Sequence, residues 1–287
     1  MKEAIRLLDE AFNAWRAGKA QNQPRRRLVL PSGSVLHQLT GAIGPYFGTK
    51  IYSTNPKHGA WFHVHLYDAD TGRPLALFEA NWLGQIRTGA ATGLATQRLA
   101  RSNSRRVGVI GSGFQARSQL EAVCAVRPID EAVVWSRGIA KCEAFARDCS
   151  PFVNVTVAAS PEQAVRDADV VITMTNAKDP VLDVAWVKPG AHVNAAGSNN
   201  PARREIPAEL LVRADYICAD SVEQAKVEAG DLILGLMEPE WGRVGELRDG
   251  RVRQSDSELT VFKSIGIGLE DVAVAGFVYE LFRAEHL

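Results

Sequence analysis

The amino-acid sequence predicts an α/β protein in which a doubly wound, parallel sheet follows a β-rich lobe. Three observations predict it. From residue 106 onward, short apolar strands alternate with helical stretches, the pattern of a parallel sheet covered on both faces. A Gly111-Ser112-Gly113 turn lies between the first of these strands and its helix. The first hundred residues carry instead an opening helix, strand-like pieces broken by turns, and a small-residue run of helical type.

Ile5, Leu8, Ala11, Phe12 and Trp15 recur at helical spacing and give the opening helix one buried face. Acidic residues stand among them, so the start reads as an amphipathic helix and not as a signal peptide. Pro31-Ser32-Gly33, Gly44-Pro45 and Gly59 punctuate the apolar stretches that follow. Trp61 to Tyr67 alternates as a strand should, and Asp68-Ala69-Asp70-Thr71-Gly72 turns into Pro74-Leu75-Ala76-Leu77-Phe78, completing a hairpin. The small-residue run from Arg87 to Ala100 suits a helix whose backbone is closely approached. Arg106 to Ile110 is then a strand, with a helix from Phe114. Strands follow at 132–136 and 153–157 with a helix at 139–148 between them, and Ser160-Pro161 with Gln163 opens a further helix through a capping box. DVVITMT, AHVNAAG and DYICAD supply three more strands. The expected boundaries are 1–101 for the N-terminal part of the lobe, 102–262 for the doubly wound domain, and 263–287 for a C-terminal helix returning to the lobe.

Thirty-three Lys+Arg balance thirty-three Asp+Glu in 287 residues. A balanced chain has no general attraction to nucleic acid or to an anionic membrane, and Arg25-Arg26-Arg27 is too short a run to change that. No apolar run is long enough to span a bilayer. Cys124, Cys142, Cys149 and Cys218 form no CxxC pair and read as reduced. Cytoplasm is the expected compartment.

Gly111-x-Gly113-x-x-Ala116, between strand and helix, has the form of a dinucleotide fingerprint. The first glycine permits the turn, the second clears room for a pyrophosphate, and Ala116 lets helix and sheet pack closely. An acid near the end of the next strand would hold the ribose diol of NAD. Trp135-Ser136-Arg137 stands there instead; Ser136 can hydrogen-bond a 2′-phosphate and Arg137 can pair with it. NADPH is therefore the expected cofactor, with NADH possible.

Lys50, after Gly48-Thr49 in an apolar strand, and Arg87, at the start of the small-residue helix, are cations that are costly to bury unless an anion meets them. Taken alone, each is more often a snorkelling or ion-paired surface group. Asn199 follows the AHVNAAG strand at the carboxyl end of the sheet, where ligands bind, but by itself it reads as an ordinary loop asparagine. His63 and His65 share a strand face without a third ligand at readable spacing, so they read as structural and no metal is expected. No GxSxG nucleophile signature occurs.

In this order the pieces resemble the ornithine cyclodeaminase/μ-crystallin family over nearly the whole chain. The matching stretches are Gly48-Thr49-Lys50, the Asp68–Ala76 turn, Arg87-Thr88-Gly89-Ala90-Ala91, residues 107–122, Asn194–Ser198, Arg204-Glu205, and Thr260–Gly266 with Leu269-Glu270-Asp271. The resemblance implies a homodimer whose substrate-binding and dimerisation lobe comes from both chain ends, with a Rossmann domain inserted between them. It implies that Lys50 and Arg87 bind the substrate carboxylate and carry catalysis, that an upstream arginine, placed at Arg26, joins them, and that Asn199 lies by the substrate. Cofactor contacts would fall on Arg87, Thr88, Gly111, Ser112, Gly113, Phe114, Gln115, Ala116, Ser136, Arg137, Thr173, Gly197, Ser198 and Ser264.

Two departures sharpen the expectation. Cyclodeaminases carry an aspartate after the Asn-Ala-x-Gly strand, where this chain has Ser198-Asn199-Asn200, and asparagine cannot act as the base that ring closure needs. The acid that holds NAD is absent too. Both point to relatives that reduce small carboxylate-bearing cyclic imines, of the ketimine or Δ1-pyrroline-2-carboxylate type, with hydride added to the imine carbon. The enzymatic alternative is an NAD-dependent amino-acid dehydrogenase or ornithine cyclodeaminase. A non-catalytic, NADPH-dependent binder of a small ligand is the alternative from another class. The chain also begins at the first helix, without the short strand that usually precedes it in such proteins.

Overall fold

The computed structural model describes residues 1–286. By internal packing the chain divides into two units, Glu3–Arg87 with Gly266–Leu287, and Thr88–Ile265 with Met1–Lys2.

In the first unit, helix α1 (Lys2–Arg16) buries Ile5, Leu8, Ala11 and Phe12. Five antiparallel strands follow, paired in chain order: β1 (Ala20–Val29), β2 (Val35–Ile43), β3 (Tyr46–Asn55), β4 (Gly59–Asp68) and β5 (Pro74–Glu79). The Asp68–Gly72 turn is held by the Asp68 carboxylate, which accepts from the Thr71 amide and hydroxyl at 2.8 and 2.6 Å. Helix α2 (Asn81–Leu99) begins in this unit and continues into the other.

The second unit contains β6 (Arg106–Ile110), α3 (Phe114–Val126), β7 (Glu131–Trp135), α4 (Ile139–Cys149), β8 (Asn154–Val157), α5 (Pro161–Val165), β9 (Val170–Thr173), β10 (His192–Ala195), α6 (Ala208–Arg213), β11 (Tyr216–Ala219), α7 (Val222–Glu228), α8 (Gly230–Ile233), β12 (Val244–Glu246) and β13 (Thr260–Lys263). Its eight-stranded sheet runs β12-β11-β13-β10-β9-β6-β7-β8, and all its pairings are parallel. The order reverses between β6 and β9, which sets a crevice at their carboxyl ends, where such sheets bind ligands. Ser160 caps α5 by accepting from the Gln163 amide at 3.2 Å, while Gln163 reaches back to the Ala159 amide, one residue earlier than a full capping box requires.

The chain returns to the first unit as α9 (Gly268–His286), whose first nine residues are all buried. It crosses β2 so closely that a Cβ on Gly41 would lie 2.6 Å from the Leu269 backbone. α9 therefore covers one face of the antiparallel sheet; the other leaves Leu28, Leu36, Trp61 and Leu77 exposed. Residues 260–263 correct the expectation that helix follows directly on 262. They form β13, a buried strand inserted between β10 and β11, and the helix starts five residues after it. Among the described residues no helix is long and apolar enough to cross a membrane.

Candidate active site

In the first unit, the cations and carboxylates meet on the sheet face that α9 covers. β3 places Lys50 and Tyr52 on that face, since residues two apart share a side, and their cross-strand partners Leu39, Val64, His37 and Phe62 line it. Lys50 is 3% exposed. Its ammonium donates to Asp271 Oδ1 at 3.0 Å. The same oxygen accepts from Arg87 Nε at 2.9 Å, and Arg87 Nη1 pairs with Glu270 at 3.0 Å. One carboxylate oxygen thus aligns two cations. The fit is close: a Cβ on Gly84 would stand 3.0 Å from Lys50 Nζ, and one on Gly266 would stand 2.2 Å from Arg87 Nη1.

Burial, followed by the repulsion of Arg87, pulls the Lys50 ammonium down to about 8, with Asp271 opposing. A lysine there gives up a proton near neutral pH, which an exposed one does not.

The structure does not bring Arg26 to this cluster. Arg26 is exposed on the opposite face of the sheet, in the cross-strand row of Gln38, Ile51 and His63. Arg25 points inward: it is 8% exposed, donates to the Gly266 carbonyl at 2.9 Å and to the Tyr52 hydroxyl, and lies 5.8 Å from the Tyr52 ring. The choice depends on the parity of β1, which the irregularity between Gln23 and Arg26 resets. Sequence reasoning also gave no role to Glu270 and Asp271, although both stood in a matching motif; their signal was two adjacent acids opening an apolar helix. Among the described residues no group of three or more His, Cys, Asp or Glu is arranged to hold a metal. His63 and His65 lie on the same face as Arg26.

In the second unit, the glycine loop has the geometry of a phosphate cradle. Gly111 has φ +108°, and a Cβ there would lie 2.2 Å from the Met174 carbonyl. Gly113 has open space where its Cβ would be. It also caps α3 without a side-chain hydrogen bond, which leaves the start of the helix without a side chain standing over it. Phe114 is exposed, Gln115 half-buried and Ala116 fully buried against the sheet. Ser112 and Ser136 hydroxyls are 2.8 Å apart, which joins the glycine loop to the end of β7, and Arg137 beside them is exposed. At the ends of the neighbouring strands, Thr173 is buried and donates to Glu205 at 3.1 Å. The Gly197 amide donates to the same carboxylate at 2.7 Å. Ser198 and Ser264 are buried, whereas Thr88 and Asn199 are half-buried. These residues could hold a dinucleotide: a helix start without a side-chain cap, a side-chain-free approach at Gly113, and hydroxyls with an arginine at the end of β7.

The ornithine cyclodeaminase/mu-crystallin family matches residues 1–286. A Δ1-pyrroline-2-carboxylate reductase of Bacillus cereus is 38% identical over 227 residues, covering 76% of this chain and 70% of that protein. The structure of the Thermococcus litoralis Δ1-pyrroline-2-carboxylate reductase in complex with NADH and L-proline superimposes with a TM-score of 0.95 at 31% identity, covering 100% of this chain and 94% of that one. An archaeal alanine dehydrogenase dimer with bound NAD gives 0.93 at 32% identity, covering 100% and 93%. The resemblance carried by the ordered motifs, and the α/β fold expected from it, are both borne out.

Proposed function

The chain belongs to the ornithine cyclodeaminase/mu-crystallin family, and within it we propose that it is an NAD(P)H-dependent reductase of a small cyclic imine bearing a carboxylate, of the Δ1-pyrroline-2-carboxylate or ketimine type. The observation that carries this reading is the charge balance of the buried cluster. Arg25, Lys50 and Arg87 bring three positive charges, and Glu270 and Asp271 bring two negative ones. A monocarboxylate completes the balance, and burial makes its attraction far stronger than it would be in water.

When bound on the glycine loop, reduced nicotinamide supplies the hydride that the imine carbon accepts. The chain's residues do the rest. Arg87 holds the carboxylate and fixes the orientation of the C=N bond. Lys50, aligned by Asp271, donates a proton to the ring nitrogen as that nitrogen gains electron density. Its lowered proton affinity, near 8, suits transfer at neutral pH. The similarity to a reductase complexed with NADH and L-proline supports this reading, since proline is the product of such a reduction. Asn199, which cannot act as a base, remains a substrate contact in this proposal.

For the cofactor we propose NADPH in preference to NADH, with the 2′-phosphate received by Ser136 and Arg137. Arg137→Ala should raise the KM for NADPH about tenfold and leave that for NADH within twofold, the loss of one charge-assisted contact. An equal effect on both cofactors would exclude Arg137 from discrimination. We also propose a homodimer built on the first unit, whose exposed Leu28, Leu36, Trp61, Leu77 and Trp82 are more apolar surface than an isolated domain usually shows.

The archaeal alanine dehydrogenase favours a second reading, oxidation of an open-chain amino acid with NAD. Purified protein should be mixed with each cofactor and five- and six-membered cyclic imine carboxylates, and separately with NAD and alanine or ornithine. Loss of nicotinamide absorbance with a cyclic imine supports the first reading. Reduction of NAD by alanine alone supports the second. Ligand binding with no turnover in any arm would make the protein a binder.

A further inference from the structure

A carboxylate outside the loop and the cation cluster holds together one half of the dinucleotide unit. Glu205, just before α6, is fully buried. Its Oε1 accepts from the Thr175 amide at 2.6 Å and the Thr175 hydroxyl at 2.8 Å, in the loop after β9. Its Oε2 accepts from the Gly197 amide at 2.7 Å, in the loop after β10, and from the Thr173 hydroxyl at 3.1 Å. The backbone around Glu205 is fixed in turn. The Glu205 and Ile206 amides donate to Asp231 Oδ1 at 2.6 and 3.0 Å, and Asp231 Oδ2 pairs at 2.8 Å with Lys263, the last residue of β13. Asp231 and Lys263 are fully buried as well. One continuous buried network therefore reaches the carboxyl ends of β9, β10 and β13, which are neighbours in the sheet.

The placement is selective. The glycine loop after β6 and Ser136 after β7 lie on one side of the point where strand order reverses. The three strand ends held by the network lie on the other, where a dinucleotide spanning the crevice puts its second mononucleotide. We propose that Glu205 is a positioning residue for the nicotinamide half of the cofactor, a proposal that rests on reading this unit as a dinucleotide binder. Four donors converge on its two oxygens, a set that an acceptor-only group satisfies completely. Burial pushes the Glu205 carboxyl up, and Lys263 opposes that shift. Stability alone would be served as well by apolar packing of similar volume. What the carboxylate adds is a fixed spacing between two loops.

The test is Glu205→Gln in the full-length protein. Its shape is kept, but an NH2 group is turned toward a backbone amide that needs an acceptor. Affinity is measured for NADPH by nicotinamide fluorescence, and for 2′,5′-ADP, which carries the adenosine half alone, by competition; NADH and ADP form a second pair. The Kd for the whole dinucleotide should rise about tenfold or more, in line with the loss of one charge-assisted hydrogen bond, while that for the fragment stays within twofold. Equal losses for dinucleotide and fragment, or unchanged affinity for both, would overturn the proposal. Should Glu205→Gln fail to fold, Thr175→Val keeps the amide bond to Glu205 and removes the hydroxyl bond, together with the contact the hydroxyl accepts from the Ala177 amide at 3.2 Å. It should weaken dinucleotide binding about twofold to fivefold with the fragment again unaffected, and unchanged dinucleotide affinity contradicts the proposal. Wild-type protein that binds neither compound overturns the dinucleotide reading itself, and this proposal with it.

Discussion

Arg87→Ala should lower kcat/KM for a cyclic imine carboxylate by about a thousandfold, roughly 4 kcal/mol of lost transition-state stabilisation. The change removes the cation proposed to orient the substrate carboxylate, so KM should rise and kcat should fall together. It also leaves Glu270 and Asp271 buried, with Asp271 paired only to Lys50. Breaking a buried pair on one side costs about 3–5 kcal/mol of stability, so the denaturant midpoint should drop as well. Steady-state kinetics and urea unfolding on the same preparations separate the two effects. Unchanged kcat/KM in Arg87→Ala would remove the arginine from the site.

Lys50→Met should cost about 10²–10⁴ in kcat, the range for loss of a positioned general acid. The pH dependence makes the assignment specific. Burial favours the neutral amine and sets the lysine near 8, so the proton it must donate is present below that pH and lost above it. The kcat/KM of the wild-type enzyme should therefore fall as pH rises through about 8, tenfold per unit beyond it. Lys50→Arg keeps the positive charge, but a guanidinium does not release its proton in this range; that variant should be slow and show no falling limb near 8. A limb that persists in Lys50→Arg would assign the proton to another group.

Much of this was legible in the sequence, for identifiable reasons. Gly111 takes a positive φ, a local requirement of the turn, and the apolar strand before the loop and the helical run after it are contiguous in sequence, so the loop and its surroundings could be read directly. The hairpin at Asp68–Gly72 is likewise local, since one carboxylate makes the turn. β13 was not legible. It is four residues long, follows a polar stretch, and becomes a strand because β10 and β11 flank it, a tertiary fact. The same limit separates Arg25 from Arg26. Adjacent arginines on a strand point to opposite faces, and only the pairing with β2 decides which one meets Lys50 and Tyr52. Asp271 is 221 residues from Lys50, and Glu205 is 30 and 32 residues from Thr175 and Thr173, though only 8 from Gly197. Their acidity was visible; their partners were not.

The central claim is that hydride passes from the nicotinamide to the carbon of a C=N bond whose carboxylate the chain holds. The direct measurement is isotopic: NADPH dideuterated at nicotinamide C4 is turned over with a cyclic imine carboxylate, and the product is analysed by mass spectrometry and NMR. A single deuterium at the α-carbon of the cyclic amino acid is the predicted result. Oxidised cofactor with no deuterium in the amino acid, or no oxidation with any cyclic imine at saturating cofactor, would contradict it.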